Sequence, residues 1–167
     1  MHPDYPVLRA PRGFLVSYSL PPVCIALGRC VLDIACAALA DRVSRGVTRV
    51  AESEIVQMAV GEAAAAIDVA AMLLHTGREA RTAAVSSGRR ITAAEALRAR
   101  RDMVYAQHQV GWALDRLCEM DGARWVCDSD ELGAIRRDVM TILTHHAASR
   151  SAAMAPYGRM LLADNQR

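Results

Sequence analysis

Asp138, Thr141 and His145 recur at intervals of three and four residues, which would place a carboxylate, a hydroxyl and an imidazole along one stripe of a helix. An imidazole takes up and releases protons near neutral pH. A neighbouring carboxylate makes it a stronger base and fixes its tautomer. The stripe therefore reads in two ways: as a group for acid–base catalysis, or as a solvated or interface histidine with no chemical task. His146 falls on the adjoining apolar seam and is expected to be packed. His75 and His108 are expected to line a cavity or a subunit contact, and nothing in the sequence singles them out further.

Other chemistries are excluded by missing patterns. A di-iron bundle needs Glu-x-x-His pairs on facing helices, and the sequence contains none. No two glycines stand at Gly-x-Gly spacing, and there is no Gly-x-Ser-x-Gly elbow. The five cysteines, Cys24, Cys30, Cys36, Cys118 and Cys127, form no Cys-x-x-Cys pair and no zinc pattern with histidine. They are expected to be reduced packing residues of a cytoplasmic protein. Arg89, Arg90, Arg98, Arg100 and Arg101 gather near one predicted loop. They suit phosphate or an acidic partner, or else a solvated charged face. The formal net charge of +2 is too small for a nucleic-acid surface. The longest uncharged run, 13–28, contains Pro21 and Pro22 and is too short and broken for a membrane span, and the first residues do not form a secretory signal.

These side chains must be positioned by helices. The 167 residues suffice for one domain with its own core. The composition is 53% hydrophobic but only 4% aromatic, and it is rich in Ala, Leu and Met, which favours closely packed helices. Every basic residue other than histidine is Arg. Residues 1–20 are predicted to form an extended lead-in followed by a short helical turn. A first long helix is expected from Pro21-Pro22 to about Arg45, with Val23, Leu27, Val31, Ile34 and Ala38 facing the core. A second runs from near Glu52 to the turn at Ser86-Ser87-Gly88, burying Ile55, Ala59, Ala63, Ile67, Ala70 and Leu74.

The third helix opens at Thr92-Ala93-Ala94-Glu95, a capping-box sequence, and closes at Asp121-Gly122. Its seam of Ala96, Ala99, Met103, Ala106, Val110, Ala113, Leu117 and Met120 has the three–four alternation of a bundle. The fourth begins near Asp128–Glu131 and buries Leu132, Ile135, Val139, Ile142, Leu143 and His146. A last short helix over 151–163 is expected to break or kink at Pro156. The sum is an all-α fold: an antiparallel four-helix bundle over 21–167 with short extra helical segments at both ends.

The order of these segments resembles the C-terminal domain of the acyl-CoA dehydrogenase fold. Leu27-Gly28-Arg29-Cys30-Val31-Leu32-Asp33 resembles its first long helix, and Ala51-Glu52-Ser53-Glu54-Ile55-Val56-Gln57 with Gly61-Glu62-Ala63 its second. Arg100-Arg101-Asp102-Met103-Val104-Tyr105-Ala106 resembles the third. Arg137-Asp138-Val139 followed by His145 resembles the fourth, and Pro156-Tyr157-Gly158-Arg159 the tail. Acyl-CoA dehydrogenases proper tend to carry Glu-Gly-Thr where His146-Ala147-Ala148 stands here. A histidine at the position of His145 is a mark of the flavin-dependent monooxygenase branch. The resemblance implies a proton-handling role for His145 beside flavin and a small, often aromatic, molecule.

The family pattern is not kept throughout. A Gly-Gly turn has become Asp121-Gly122, a Gln and an Arg are replaced by Gly133 and Ala134, and an aromatic residue by Arg136. The family's N-terminal helical and central β-barrel domains, which hold most of the flavin, are not in this sequence. The chain alone is therefore expected to bind no cofactor, and FAD or FMN only when a partner chain supplies those domains. A homo-oligomer is expected, because this domain packs into dimers and tetramers in the family. The expected activity is oxidoreductase-like, on a small aromatic or polyketide-like substrate in specialised metabolism. Two alternatives remain open: a flavin-free bundle acting as a cofactor-independent enzyme or small-molecule binding protein, and a non-catalytic assembly module. No nucleic-acid or membrane partner is expected.

Overall fold

Pro21 and Pro22 stand in the first turn of the first described helix, where the missing N–H groups lack a partner in any case. The computed structural model describes residues 19–43, 49–127 and 130–164. The lead-in expected over 1–20 therefore lies almost wholly outside the described residues. Five helices follow: α1 (Leu20–Ala40), α2 (Glu54–Ser86), α3 (Ala93–Asp121), α4 (Glu131–Thr144) and α5 (Arg150–Asp164). Among the described residues there is no strand, only an isolated bridge between Val43 and Arg49. Helix α3 packs against each of the other four. Helix α1 also touches α2 and α4, and α5 lies on α3. The all-α four-helix bundle is thus formed by α1–α4, with α5 as the extra segment at the C-terminal end.

The core is built largely from alanine and β-branched residues. Ala63, Ile67 and Ala70 of α2 and Ala106, Val110, Ala113, Leu114 and Leu117 of α3 are buried together with Val31, Ala35 and Val139. Small side chains on both α2 and α3 let the two helices approach closely. The seams expected for α2 and α3 recur almost residue by residue, except that Ile55 and Ala96 near the helix starts are exposed.

Helix α1 differs. Its buried line is Cys24, Gly28, Val31, Ala35 and Leu39, and the expected core residue Val23 is 49% exposed. The helix is apolar nearly all round, with Arg29 and Asp33 marking an outer side, and its buried line is set by packing. That packing includes Gly28, where a methyl group would lie 2.8 Å from Val110 Cγ1. Only a residue without Cβ allows α1 and α3 this approach. Helix α1 also stops at Ala40, short of the expected Arg45. The chain turns there so that Arg42 can donate to the carbonyls of Met120 and Asp121 at 3.2 and 2.8 Å, satisfying the open end of α3. Both α1 and α2 are long and apolar enough to cross a membrane by length and composition alone. Only 33% and 22% of those stretches is buried within this chain, so much apolar surface stays open.

The remaining boundaries follow local chemistry. Asp130 caps α4 by accepting from the Gly133 N–H at 2.8 Å. Helix α5 continues through Pro156 instead of breaking there. The carbonyl that Pro156 cannot serve belongs to Ala152, which is exposed and open to water. At the start of α3 the expected capping box is complete. Thr92 Oγ1 accepts from the Glu95 N–H at 3.2 Å, and the Glu95 carboxylate accepts from the Thr92 N–H at 2.8 Å.

Arg89 forks onto that same carboxylate at 2.8 and 2.9 Å and, with the Thr92 hydrogen bonds, holds Glu95 well below its ordinary 4.5, at about 2. A lowered folded-state value means that this contribution is full above pH 4.5 and is lost as pH falls toward 2. Protection of the first-turn amides of α3, taken relative to their intrinsic exchange rates, is therefore expected to fall across that window, and an NMR titration midpoint for Glu95 at 4.5 would refute the cap as described. Gly133→Ala is expected to cost about 3 kcal/mol and to lower Tm by roughly 6–12 °C. The reason is that a methyl group there would lie 2.0 Å from the Trp125 carbonyl oxygen. Thermal unfolding checks this, and a change under 1 °C would contradict it.

Candidate functional site

The bend between α4 and α5 arises because α4 ends at Thr144. His145 adopts extended backbone angles (φ −64°, ψ 140°), and a short 3-10 turn, His146–Ala148, follows. His145 caps that turn, with its Nδ1 accepting from the Ala147 N–H at 3.2 Å. A neutral imidazole whose Nδ1 accepts carries its proton on Nε2. The ring thus presents an N–H on its outer side, suited to donate to whatever docks there. The His146 ring lies beside it, with centroids 4.3 Å apart and a tilt of 42°. His146 is exposed rather than packed, because the helix whose seam it was to continue has already ended.

Two contacts immobilise the bend. Ala148 is fully buried, and His108 on α3 reaches its carbonyl at 3.0 Å. A carbonyl only accepts, so His108 Nε2 is the donor. His108 thus anchors the segment that carries His145, a role its sequence position did not announce.

Asp138 and Thr141 are exposed on α4. The Thr141 hydroxyl donates to the Arg137 carbonyl at 2.9 Å. Among the described residues no hydrogen bond joins Asp138, Thr141 and His145, since the chain leaves the helical path at His145. At the other end of α4, Gly133 is buried against Trp125, so this position has no room for a side chain. Arg136 stacks over the Trp125 ring, 4.6 Å from its centroid, and its Nε donates to Asp115 at 2.8 Å.

Two of the cavities formed by described residues stand out, and His145 lines neither of these. One, of about 730 Å³, lies between α1 and α2 and includes Arg29, Asp33 and His75; the last sits 3.4 Å from Glu79. The other, of about 440 Å³, lies between α2 and α3 and is lined by Arg81, Arg89, Arg98 and Asp102 among apolar side chains. Arg81 is buried there, and nothing in the periodicity of the sequence marks it as such. Burial pushes the thiols of Cys24 and Cys118 up to about 12, which keeps these two protonated. Cys30, Cys36 and Cys127 are exposed, so only two of the five cysteines pack in the core as expected.

The sequence pattern of the family described as "Acyl-CoA dehydrogenase, C-terminal domain" matches residues 22–150. Among solved structures the fold is similar to 3-HSA hydroxylase from Rhodococcus sp. RHA1, with a TM-score of 0.85 and 23% identity over 95% of this chain and 40% of that one. It is similar to the HsaA monooxygenase from M. tuberculosis at a TM-score of 0.83 and 23% identity, with the same coverage of 95% and 40%. It is also similar to XiaF from Streptomyces sp., a structure in complex with FADH2 and glycerol. There the TM-score is 0.82, with 23% identity over 88% of this chain and 38% of that one. The chain spans about 40% of the length of the structures it matches. No curated protein sequence matches it significantly.

Removing the anchor under the bend tests how His145 is held. His108→Ala is expected to cost about 1 kcal/mol and to increase amide exchange of residues 146–149 above that of α2. Equal exchange in both proteins would show that His108 does not hold the bend.

Proposed function

The chain belongs to the acyl-CoA dehydrogenase C-terminal domain family, and from that premise we propose that it is the helical-bundle component of a flavin-dependent oxidoreductase of the monooxygenase kind. Its substrate is a small aromatic or polyketide-like molecule of specialised metabolism. The observation that carries this reading is the likeness over nearly the whole chain to one part of a larger hydroxylase, of a larger monooxygenase and of XiaF, whose structure contains FADH2. His145, held on the bend through its Nδ1, is the group we assign to proton transfer, and taking up a proton there releases the Ala147 N–H.

On their own these residues do not form a flavin site. His145 stands outside both cavities, and Gly133 leaves no side chain where the resembling family has a polar one. In this reading the missing surfaces come from a partner chain carrying an N-terminal helical domain and a β-barrel. FAD or FMN, when bound there, supplies two-electron chemistry with oxygen. The bundle contributes the imidazole and the docking face. The open apolar surface of α1 and α2, including Val23, Ile55 and Met58, supports assembly with that partner and with further copies of this chain. A second reading is favoured by the closed Gly133 position: a bundle that has lost flavin and acts as a cofactor-independent enzyme or small-molecule binding protein.

The two readings separate on flavin uptake. FAD and FMN are added to the purified chain, alone and with a candidate partner. The expected result is unquenched flavin fluorescence for the chain alone and quenching when the partner is present. No retention in either case would reject the flavin reading. In the reconstituted enzyme His145→Ala is expected to lower kcat about 10²–10⁴-fold. Activity preserved within about threefold would remove His145 from the reaction.

A further inference from the structure

The cavity between α2 and α3 combines features that a helix–helix seam does not need. It encloses about 440 Å³, within the range of small-ligand sites. One wall is apolar, with Val69, Met72 and Leu73 of α2 facing Ile91 and Ala99. Arg81 lies in the lining at 8% exposure. Burying a guanidinium is unfavourable unless carboxylates or hydrogen bonds compensate. Asp102 on α3 supports the charge, and Arg81 remains a cation at neutral pH even though burial lowers its value to about 10.

Asp102 is not reserved for Arg81. Its carboxylate also accepts from Arg101 Nε at 2.7 Å and lies 3.8 Å from Arg98 Nε. Arg101 is drawn to the far side, where its guanidinium stacks 4.2 Å over the Tyr157 ring of α5. Arg98 stays on the cavity rim with its side chain 69% exposed. Arg89, also in the lining, is occupied by its fork onto Glu95. The cavity therefore combines guanidinium groups from α2 and α3, and the carboxylates of Asp102 and Glu95, with a stretch of apolar wall. An interhelical ion pair alone would need neither the void nor the second guanidinium at its mouth.

We propose that this cavity is a binding site for a small apolar monocarboxylate, its carboxylate seated between Arg81 and Arg98 and its hydrocarbon body along Val69, Met72 and Leu73. A guanidinium fork matches a carboxylate in two parallel hydrogen bonds, and the apolar wall matches an alkyl or aryl tail. A phosphate would gain the charge contact but leave the apolar wall without a partner. The site is separate from His145 and stands whether or not flavin binds elsewhere.

Calorimetric titration of the full chain with octanoate, 1-octanol and inorganic phosphate tests the assignment. Octanoate is expected to bind saturably at one site, octanol at least tenfold more weakly, and phosphate not at all. Arg81→Met removes the charge and keeps an apolar stem, and Asp102 keeps Arg98 and Arg101 as partners. The variant is expected to weaken octanoate at least tenfold and leave octanol unchanged. Arg98→Gln, at an exposed position, is expected to weaken octanoate about threefold or more, and it decides the matter if Arg81→Met does not fold. Equal affinity for octanoate and octanol, absence of saturation, or octanoate binding unchanged in a folded Arg81→Met or in Arg98→Gln would each overturn the proposal.

Discussion

Close packing on α3 is the constraint from which the rest of the molecule follows. Every other long helix touches it, and its buried side is made of alanines, valines and leucines with few large groups. Such a surface stabilises only when the neighbours come near enough for their small side chains to interdigitate. Gly28 admits Val110, and the α2 alanines lie along the α3 alanines. Bulk added at these contacts would separate the helices and lose many weak contacts at once. The ends of α3 are held as firmly as its middle, by the Thr92–Glu95 box at one end and Arg42 at the other.

That rigidity explains how a bend on the surface can hold an imidazole in a defined orientation. The α4–α5 connection is tied to α3 through His108 and the buried Ala148, and the 3-10 turn in turn uses His145 as its cap. The ring is placed by backbone geometry and by one hydrogen bond to Nδ1, with no carboxylate partner among the described residues. An imidazole arranged this way is ready for chemistry that another surface must complete. The wide apolar faces of α1 and α2 tell the same story on a larger scale, because a bundle that buried all it needed would not leave residues such as Met58 51% exposed.

The charged groups between α2 and α3 follow different physics. Arginines that looked like a solvated patch divide into three kinds. Arg89 completes a helix cap, Arg101 is drawn to Tyr157, and Arg98 borders a cavity that also contains the buried Arg81. Side chains a few residues apart thus serve local structure, tertiary packing and a cavity.

The sequence by itself determined the all-helical class, the capping box at Thr92, the end of α3 at Asp121-Gly122 and the buried lines of α2 and α3. Each rests on local signals: a three–four period, a cap, a glycine. Where those signals were ambiguous, the tertiary structure decided. Helix α1 is apolar nearly all round, with Arg29 and Asp33 marking an outer side, and its buried line is set by packing that includes the contact between Gly28 and Val110. Asp138, Thr141 and His145 share a stripe only while a helix continues, and α4 ends one residue too soon for that. Arg81 carries no mark of burial in its neighbours along the chain, since its environment is built from two helices joined by a turn. Periodicity reports which face a segment could bury, and only packing between segments determines which face it does bury and which polar groups go with it.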